Sequence, residues 1–364
     1  MSGIFKSGVF SQGFDKTTVI NQVFTSITGS ATINSSFARF VAPTGFISQG
    51  MQITGGGQGQ GQLAFGTQLT TMILGIALKP VTFPASGNSF LLEFMDTVAG
   101  VGQVTIALLP GGQIQALRGD VLSGLTSLGI STATIPVNAY SQLQVQVTIS
   151  TTVGVVEILL NGNPSPILSL TGINTQKTAN TFTDAVKLGG AVTTQYDDWW
   201  MLDKTGSLNT YLGDKVVRTP LITADSATVG LNNWSTSPSQ STGNHYLNIN
   251  ENPPNDGTSF NFSATPGTRE SYRTSQIVQS VGAISFINVF GRIQKDDGTA
   301  RTIALMARNS NTDATGDTIS DPSSWATVNT PFLNSPATSA PWTIAGYNGA
   351  GPQSDAEFGI TVVS

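Results

Sequence analysis

The sequence has no cysteine and a single histidine, His245, among its 364 residues. The first absence excludes a disulfide scaffold, a thiol nucleophile and thiolate-ligated zinc. The second excludes a zinc centre built from two or three histidines of one chain. Charge is scarce as well: Asp, Glu, Lys and Arg make up 10% of the chain, against roughly a quarter in an average soluble domain. With a formal net charge of −5 and no run of Lys or Arg, the chain offers no electrostatic footprint to a nucleic-acid backbone or an anionic membrane. No window approaches a continuous apolar span of about 18 residues, so membrane insertion is not expected. The opening MSGIFKSGVFSQGFDKTT lacks the apolar centre of an export signal, and the expectation is a soluble protein made in a cytoplasm.

Helical periodicity is also nearly missing, whereas strand patterns recur along the whole chain. In SQLQVQVTIS, Leu143, Val145, Val147 and Ile149 alternate with Gln142, Gln144, Gln146 and Thr148, which predicts a strand with one buried and one solvated face. GVVEILLNGNPSPILSL reads as two strands turned at Asn161-Gly162, and GQVTIALLPGGQIQALRG as a hairpin turned at Pro110, Gly111 and Gly112. TTMILGIALKP and NSFLLEFMD add two more strands. Short strands separated by turn signals predict a β-sandwich or jelly roll.

The length allows two cores, and composition shifts after GDKVVRTPL towards Ser, Thr, Asn, Gly and Pro. The reading is all-β: an N-terminal jelly-roll β-sandwich over residues 1–218, a connector over 219–258 lying on a surface, and a second, smaller β-sandwich over 259–364. RTSQIVQS, AISFINVFGRIQK, RTIALMARN and AEFGITVVS supply the second set of strands, with QKDDGTAR as a hairpin turn between two of them.

Candidate chemistry is thin. The Gly-rich TGGGQGQGQ, Thr54 to Gln62, lacks the Lys-Ser or Lys-Thr of a phosphate loop and reads as a loop or bulged strand end that could contact a neighbouring subunit. His245 has no Gly-x-Ser-x-Gly elbow to serve and reads as a surface or connector residue. The pairs Asp197-Asp198 and Asp296-Asp297, with Glu93, Asp96, Glu157 and Glu251, could supply two carboxylates for glycoside hydrolysis. Asp296-Asp297 precedes Gly298, however, where an aspartate binds local amides. Neither a catalytic set nor a cofactor or metal site is assigned.

YDDWWMLDKTGSLNTYLGD, from Tyr196, concentrates tryptophan and aspartate. As a regular strand it would place Tyr196, Asp198, Trp200 and Leu202 on one face and Asp197, Trp199, Met201 and Asp203 on the other. Both faces mix apolar and acidic residues. That pattern predicts a strand buried on both sides with aspartates anchoring donors, against a calcium site at a strand edge or a sugar-stacking platform.

YDDWWMLDKTGSLNTYLGDKVV resembles the closing strand and turn of the laminin-G-like, concanavalin A-like jelly rolls of tailed-bacteriophage virion proteins. The matching positions are Asp197, Asp198, Trp200, Leu202, Asp203, Gly206, Leu212, Gly213, Asp214 and Val217. SQGFDKTT resembles the opening strand, and NHYLNINENPPNDGTSFNFS the passage into a second β domain. The tryptophans depart from the smaller apolar residues usual in that strand, so no binding site is carried over. The resemblance implies a non-enzymatic structural subunit of a virion, at the tail or an appendage, with other virion proteins as partners and homo-oligomeric assembly. Its alternatives are a capsid decoration protein or head fibre, and an adhesin for host surface glycan. For the last, Trp234, Trp325, Trp342 and Tyr347 stand in polar loops as candidate glycan or subunit contacts, with plugging between domains as the competing use.

Overall fold

The computed structural model describes residues 9–12, 24–40, 46–55, 59–251, 255–278 and 282–364. Strand accounts for 48% of the chain and helix for 4%, so the all-β expectation holds. The chain divides into two compact units, Met1–Val41 with Ser48–Arg218, and Ala42–Ile47 with Thr219–Ser364.

The first unit is a sandwich of two antiparallel sheets. In spatial order one sheet runs Leu168–Ile173, Gly154–Leu160, Ser141–Thr148, Thr71–Pro80, Thr194–Leu202, Gly50–Ile53 and Ala31–Asn34, with Val9–Gln12 also paired to Thr194–Leu202. The other runs Thr126–Thr134, Gln113–Arg118, Val101–Leu108, Ser89–Asp96, Thr183–Gly190, Gly59–Leu69 and Ser26–Thr28. Period-two alternation sends Leu143, Val145 and Val147 from one sheet, and Leu92, Phe94, Val104 and Ile106 from the other, into a common core. At one side Thr132 N donates to Ile167 O at 2.8 Å, which ties the edge strand Thr126–Thr134 to the residue that precedes the other sheet's edge strand, Leu168–Ile173.

The turn chemistry read from sequence is largely in place. Asn161 and Gly162 adopt φ of 50° and 71° where Gly154–Leu160 leads back to Leu168–Ile173, and Gly112, at φ 84°, closes the hairpin between Val101–Leu108 and Gln113–Arg118. The Gly-rich stretch becomes strand from Gly59; its residues 56–58, and most of SQGFDKTT, lie outside the described residues.

Three expectations need correction. Gln142 and Gln144 are buried rather than solvated, because residues 203–217 return across that face of the sheet. Gly213 N donates to Gln144 Oε1 at 2.9 Å, Gln142 Nε2 donates to Lys215 O at 2.9 Å, and Lys204 Nζ reaches Gln146 Oε1 at 2.7 Å. Second, QKDDGTAR is not a hairpin. Ile287–Ile293 pairs with Ala326–Phe332, whereas Thr302–Asn309 pairs with Glu357–Val362 and Thr312–Thr315. An Asp-Gly turn reverses the chain locally but does not choose the sheet it returns to. Here Val289 and Leu305 meet in one core from opposite layers. Asp297 does accept from Thr299 N at 3.0 Å, as an aspartate in such a turn should. Third, residues 222–225 of the expected connector are an edge strand, Ile222–Asp225, paired with Arg269–Thr274; the predicted RTSQIVQS strand ends at Thr274.

The second unit's main sheet is ordered Ile222–Asp225, Arg269–Thr274, Glu357–Val362, Thr302–Asn309 and Thr312–Thr315, and the ribbon of Ile287–Ile293 with Ala326–Phe332 contributes Val289 and Phe332 to the shared core.

Gly75 leaves room for the Trp200 indole packed against it. A Cβ there would lie 2.1 Å from Trp200 Cε2, and a rigid, fully buried indole cannot move aside. Gly75→Ala is expected to destabilise the first unit by about 3 kcal/mol, at the upper end for overpacking, read as a lowered urea midpoint with unchanged slope.

Candidate functional site

The Thr194–Leu202 strand is buried at every position. Its alternation is broken by a one-residue bulge: Asp197 lies opposite Ala77, but Trp200 lies opposite Gly75. Asp198 supplies the extra residue at φ 50°, a left-handed conformation that Asp tolerates better than most residues. The bulge flips the faces downstream, so Tyr196, Trp199 and Met201 point together into the core and Trp200 lies on the opposite face over Gly75. The strict two-face assignment expected from the sequence fails here for that reason. Tyr196 Oη donates to Leu91 O and Gly189 O at 3.2 and 3.3 Å. Trp199 stacks on Phe24, with centroids 5.9 Å apart.

The bulge turns both aspartates towards Arg39. Arg39 N donates to Asp197 Oδ2 at 2.7 Å, and Asp198 N donates to Asp197 Oδ1 at 2.8 Å. Asp198 accepts from Val217 N on Oδ1 at 2.8 Å and from Arg39 Nη1 on Oδ2 at 3.3 Å. The guanidinium then makes a two-pronged contact with Asp214, at 2.7 and 2.8 Å, the planar geometry that suits arginine to carboxylate. Neighbouring Tyr140 donates to Phe37 O, which ties down the turn before Arg39. Asp203 accepts from both Thr205 N and Thr205 Oγ1, at 2.8 and 2.6 Å, and Gly213 at φ 83° turns the chain so that Asp214 faces Arg39.

The electrostatics are those of a latch. Burial pushes the Asp198 carboxyl up to about 6, despite the Val217 amide and Arg39 opposing the shift. Arg39 gives its closer contacts to the more exposed Asp214, so it compensates Asp198 only in part. All three carboxylates are held by backbone amides or by Arg39, and they do not form a pair facing a substrate. Among the described residues no group of three His, Asp or Glu side chains converges to hold a metal ion, and no helix is long and apolar enough to cross a membrane.

Sequence reasoning missed Arg39. One signal was available: it is the sole charged residue between Lys16 and Lys79, and a lone cation in so uncharged a stretch, of a chain with the Asp197-Asp198 pair to compensate, marks a candidate partner.

The remaining candidates lie in the second unit and do not converge. Trp342 and Tyr347 are buried in its core; Trp342 Nε1 donates to Phe332 O at 3.0 Å and the Tyr347 hydroxyl bonds to Thr274 Oγ1. Neither is placed to stack on a sugar. Trp234 is half-buried, its backbone N–H donating to Glu270 Oε2 at 3.0 Å. Trp325 is half-buried beside Phe260, centroids 6.4 Å apart, and Phe260 lies 5.9 Å from Phe262, which is 47% exposed. These three rings form the one aromatic cluster with an outward edge among the expected and neighbouring aromatics described. His245 is buried rather than superficial: its Nδ1 lies 2.7 Å from Glu270 Oε1 and its backbone N–H donates to Asp225 Oδ2 at 2.9 Å. An imidazole beside a buried carboxylate offsets the cost of burying that group, which no local sequence pattern reveals.

No family model matches the chain, and no curated protein matches it. Solved structures show a distant likeness to part of the chain. A cellulose-induced protein, Cip1, is 16% identical with a TM-score of 0.42, covering 57% of this chain and 100% of its own. Carbohydrate-binding module CBM66 from Bacillus subtilis is 9% identical with a TM-score of 0.31, covering 56% of this chain and 98% of its own. The Trypanosoma rangeli sialidase is 12% identical with a TM-score of 0.33, covering 55% of this chain and 31% of the enzyme. Likeness at this level carries no argument about activity.

Two outcomes follow from the latch. Replacing Arg39 with Met leaves Asp198 buried without a cation and is expected to destabilise the first unit by about 3–5 kcal/mol in denaturant titration. Because Asp198 is raised in the folded state, the native protein binds the extra proton between about pH 4 and 6. Its contribution to stability is therefore fully present below about pH 4 and is lost as pH rises through 6. Asp198→Asn keeps an acceptor for Val217 N and should abolish that component of the pH dependence; an unchanged slope in urea midpoints would contradict the assignment.

Proposed function

We propose that this chain is a non-enzymatic structural subunit of a tailed-phage virion, acting by assembly with other virion proteins at the tail or an appendage. What supports the reading is the latch itself. Asp197, Asp198 and Asp214, three of the residues that carry the resemblance to virion jelly rolls, meet at Arg39, and a fourth, Val217, donates its amide to Asp198. They fasten the segment after the closing strand onto the sheet and commit the carboxylates of Asp197, Asp198 and Asp214 to internal bonds. In this reading the protein is made in the host cytoplasm, resides in the particle and works as a homo-oligomer. The first unit attaches and the second is displayed. Shell decoration is the variant in which the same subunit lies on the capsid lattice.

A second reading, an adhesin for host surface glycan, is favoured by one observation, the outward edge of the Phe260, Phe262 and Trp325 cluster. Aromatic faces stack on the apolar faces of sugar rings. Trp342 and Tyr347 are dropped from that reading because they are core residues.

Copy number per purified particle, by quantitative mass spectrometry, tests the proposal. A few to a few dozen copies, with recombinant protein forming a matching closed oligomer, is the expected result. Hundreds of copies would move the subunit to the shell, and absence from particles would overturn the virion assignment. A truncated chain lacking residues 220–364 should still join particles; failure to do so would refute the division of labour between the units.

A further inference from the structure

Residues 203–217, which return across the outer face of the first unit's sheet, form a strap held in an unusual way. They belong to no strand, and among the described residues their backbone makes no hydrogen bond with the backbone of another segment. Side chains of the sheet hold them instead. Gly213 N and Lys215 N donate to Gln144 Oε1 and Gln142 Oε1 at 2.9 and 3.3 Å, Gln142 Nε2 donates to Lys215 O at 2.9 Å, and Val217 N donates to Asp198 Oδ1 at 2.8 Å. From the strap's side, Lys204 reaches Gln146 Oε1 at 2.7 Å, and Asp214, a residue 38% exposed at its side chain, takes the Arg39 fork at 2.7 and 2.8 Å. No residue of the strap is itself buried, whereas Gln142, Gln144 and Trp200 on the face it crosses are at most 1% exposed. A segment that pairs no backbone and buries none of its own residues sits at the low end of local stability.

The face under the strap is not fully satisfied by it. Gln144 and Trp200 stand on either side of Gly75, each directly opposite it. A Cβ on Gly75 would meet Trp200 Cε2 at 2.1 Å, Cζ2 at 2.2 Å and Nε1 at 2.5 Å. Cε2 is a ring-fusion carbon bonded to the other two, and it is the nearest atom only if the indole turns its flat side to Gly75. The ring therefore lies on the sheet and reaches over Gly75 towards Gln144, with its second flat side facing outward. Trp200 Nε1 and Gln144 Nε2 are both covered, and neither finds an acceptor among the described residues. Two buried donors left unpaired cost the closed arrangement free energy that exposure to water returns.

We infer that residues 203–217 are a hinged cover, which lifts as a unit when the Arg39–Asp214 fork breaks and bares the Trp200 indole while the sandwich stays folded. The left-handed residues Lys204 and Gly206, both at φ 68°, turn the chain where the strap leaves the Thr194–Leu202 strand and mark the hinge. Asp214 is the release point because its carboxylate lies at the surface, where water and salt compete for the fork, and because its loss leaves Arg39 free to pair with Asp198 alone. The device depends on neither the virion nor the glycan reading.

Native-state hydrogen exchange on the full chain, resolved to the amides of Gly213, Lys215 and Val217, tests the cover. In the wild type these amides should exchange faster than those of the Ser141–Thr148 strand, at a rate insensitive to low urea and raised by added salt. Asp214→Ala should speed them about tenfold, the loss of one charge-assisted two-pronged contact, and leave the Ser141–Thr148 amides unchanged. Acrylamide quenching of tryptophan emission reads the baring: it should rise in Asp214→Ala, and the rise should vanish when Trp200→Phe is added. Strap amides that exchange in step with the Ser141–Thr148 strand, at a rate that salt does not move, would overturn the cover, as would an Asp214→Ala variant that speeds both sets alike. A quenching gain that persists in the double variant would overturn the assignment of Trp200 as the residue bared.

Discussion

A strand buried on both faces that nonetheless carries two adjacent aspartates is the constraint around which the first unit is arranged. Ionised carboxylates in a packed interior are costly unless charge and hydrogen bonds compensate them. Arg39 provides the charge, and the amides of Arg39, Asp198 and Val217 provide the hydrogen bonds. To receive them the strand takes a bulge at Asp198, and the bulge in turn sends Trp199 into the core and Trp200 over Gly75. One local accommodation thus fixes the largest side chains of the sandwich.

The latch has a second consequence for the neighbouring sheet face. Once Asp214 and Val217 are fastened, residues 203–217 must lie across Gln142, Gln144 and Gln146, whose amides bind the returning backbone and Lys204. A row of glutamines suited to water becomes a row of clips. Glutamine serves here because its amide both donates and accepts, as Gln142 does with Lys215.

The two units solve the problem of buried charge in different ways. In the first, the Arg39 guanidinium answers two carboxylates while its backbone amide holds a third, and burial raises one of the two, Asp198. In the second, charges alternate in a row on a sheet face, where Glu357 lies between Arg273 and Arg308, and Asp313 between Arg308 and Arg269.

The sequence by itself determined the all-β class, the strands of the first sandwich and the turns at Gly112 and Asn161-Gly162, because period-two alternation and left-handed turn residues are local properties. It also marked the Tyr196 to Asp214 segment as special, through tryptophan and aspartate packed into a charge-poor chain. Only the tertiary structure decided that Arg39 answers Asp198 across 159 residues, that a bulge reverses the strand's faces, that Gln142 and Gln144 are covered, and that Trp342, Tyr347 and His245 are interior. The strands flanking QKDDGTAR entered different layers for the same reason. Each of these depends on which distant segment arrives at a given face, and packing partners far apart in the chain leave no periodicity for a local pattern to reveal.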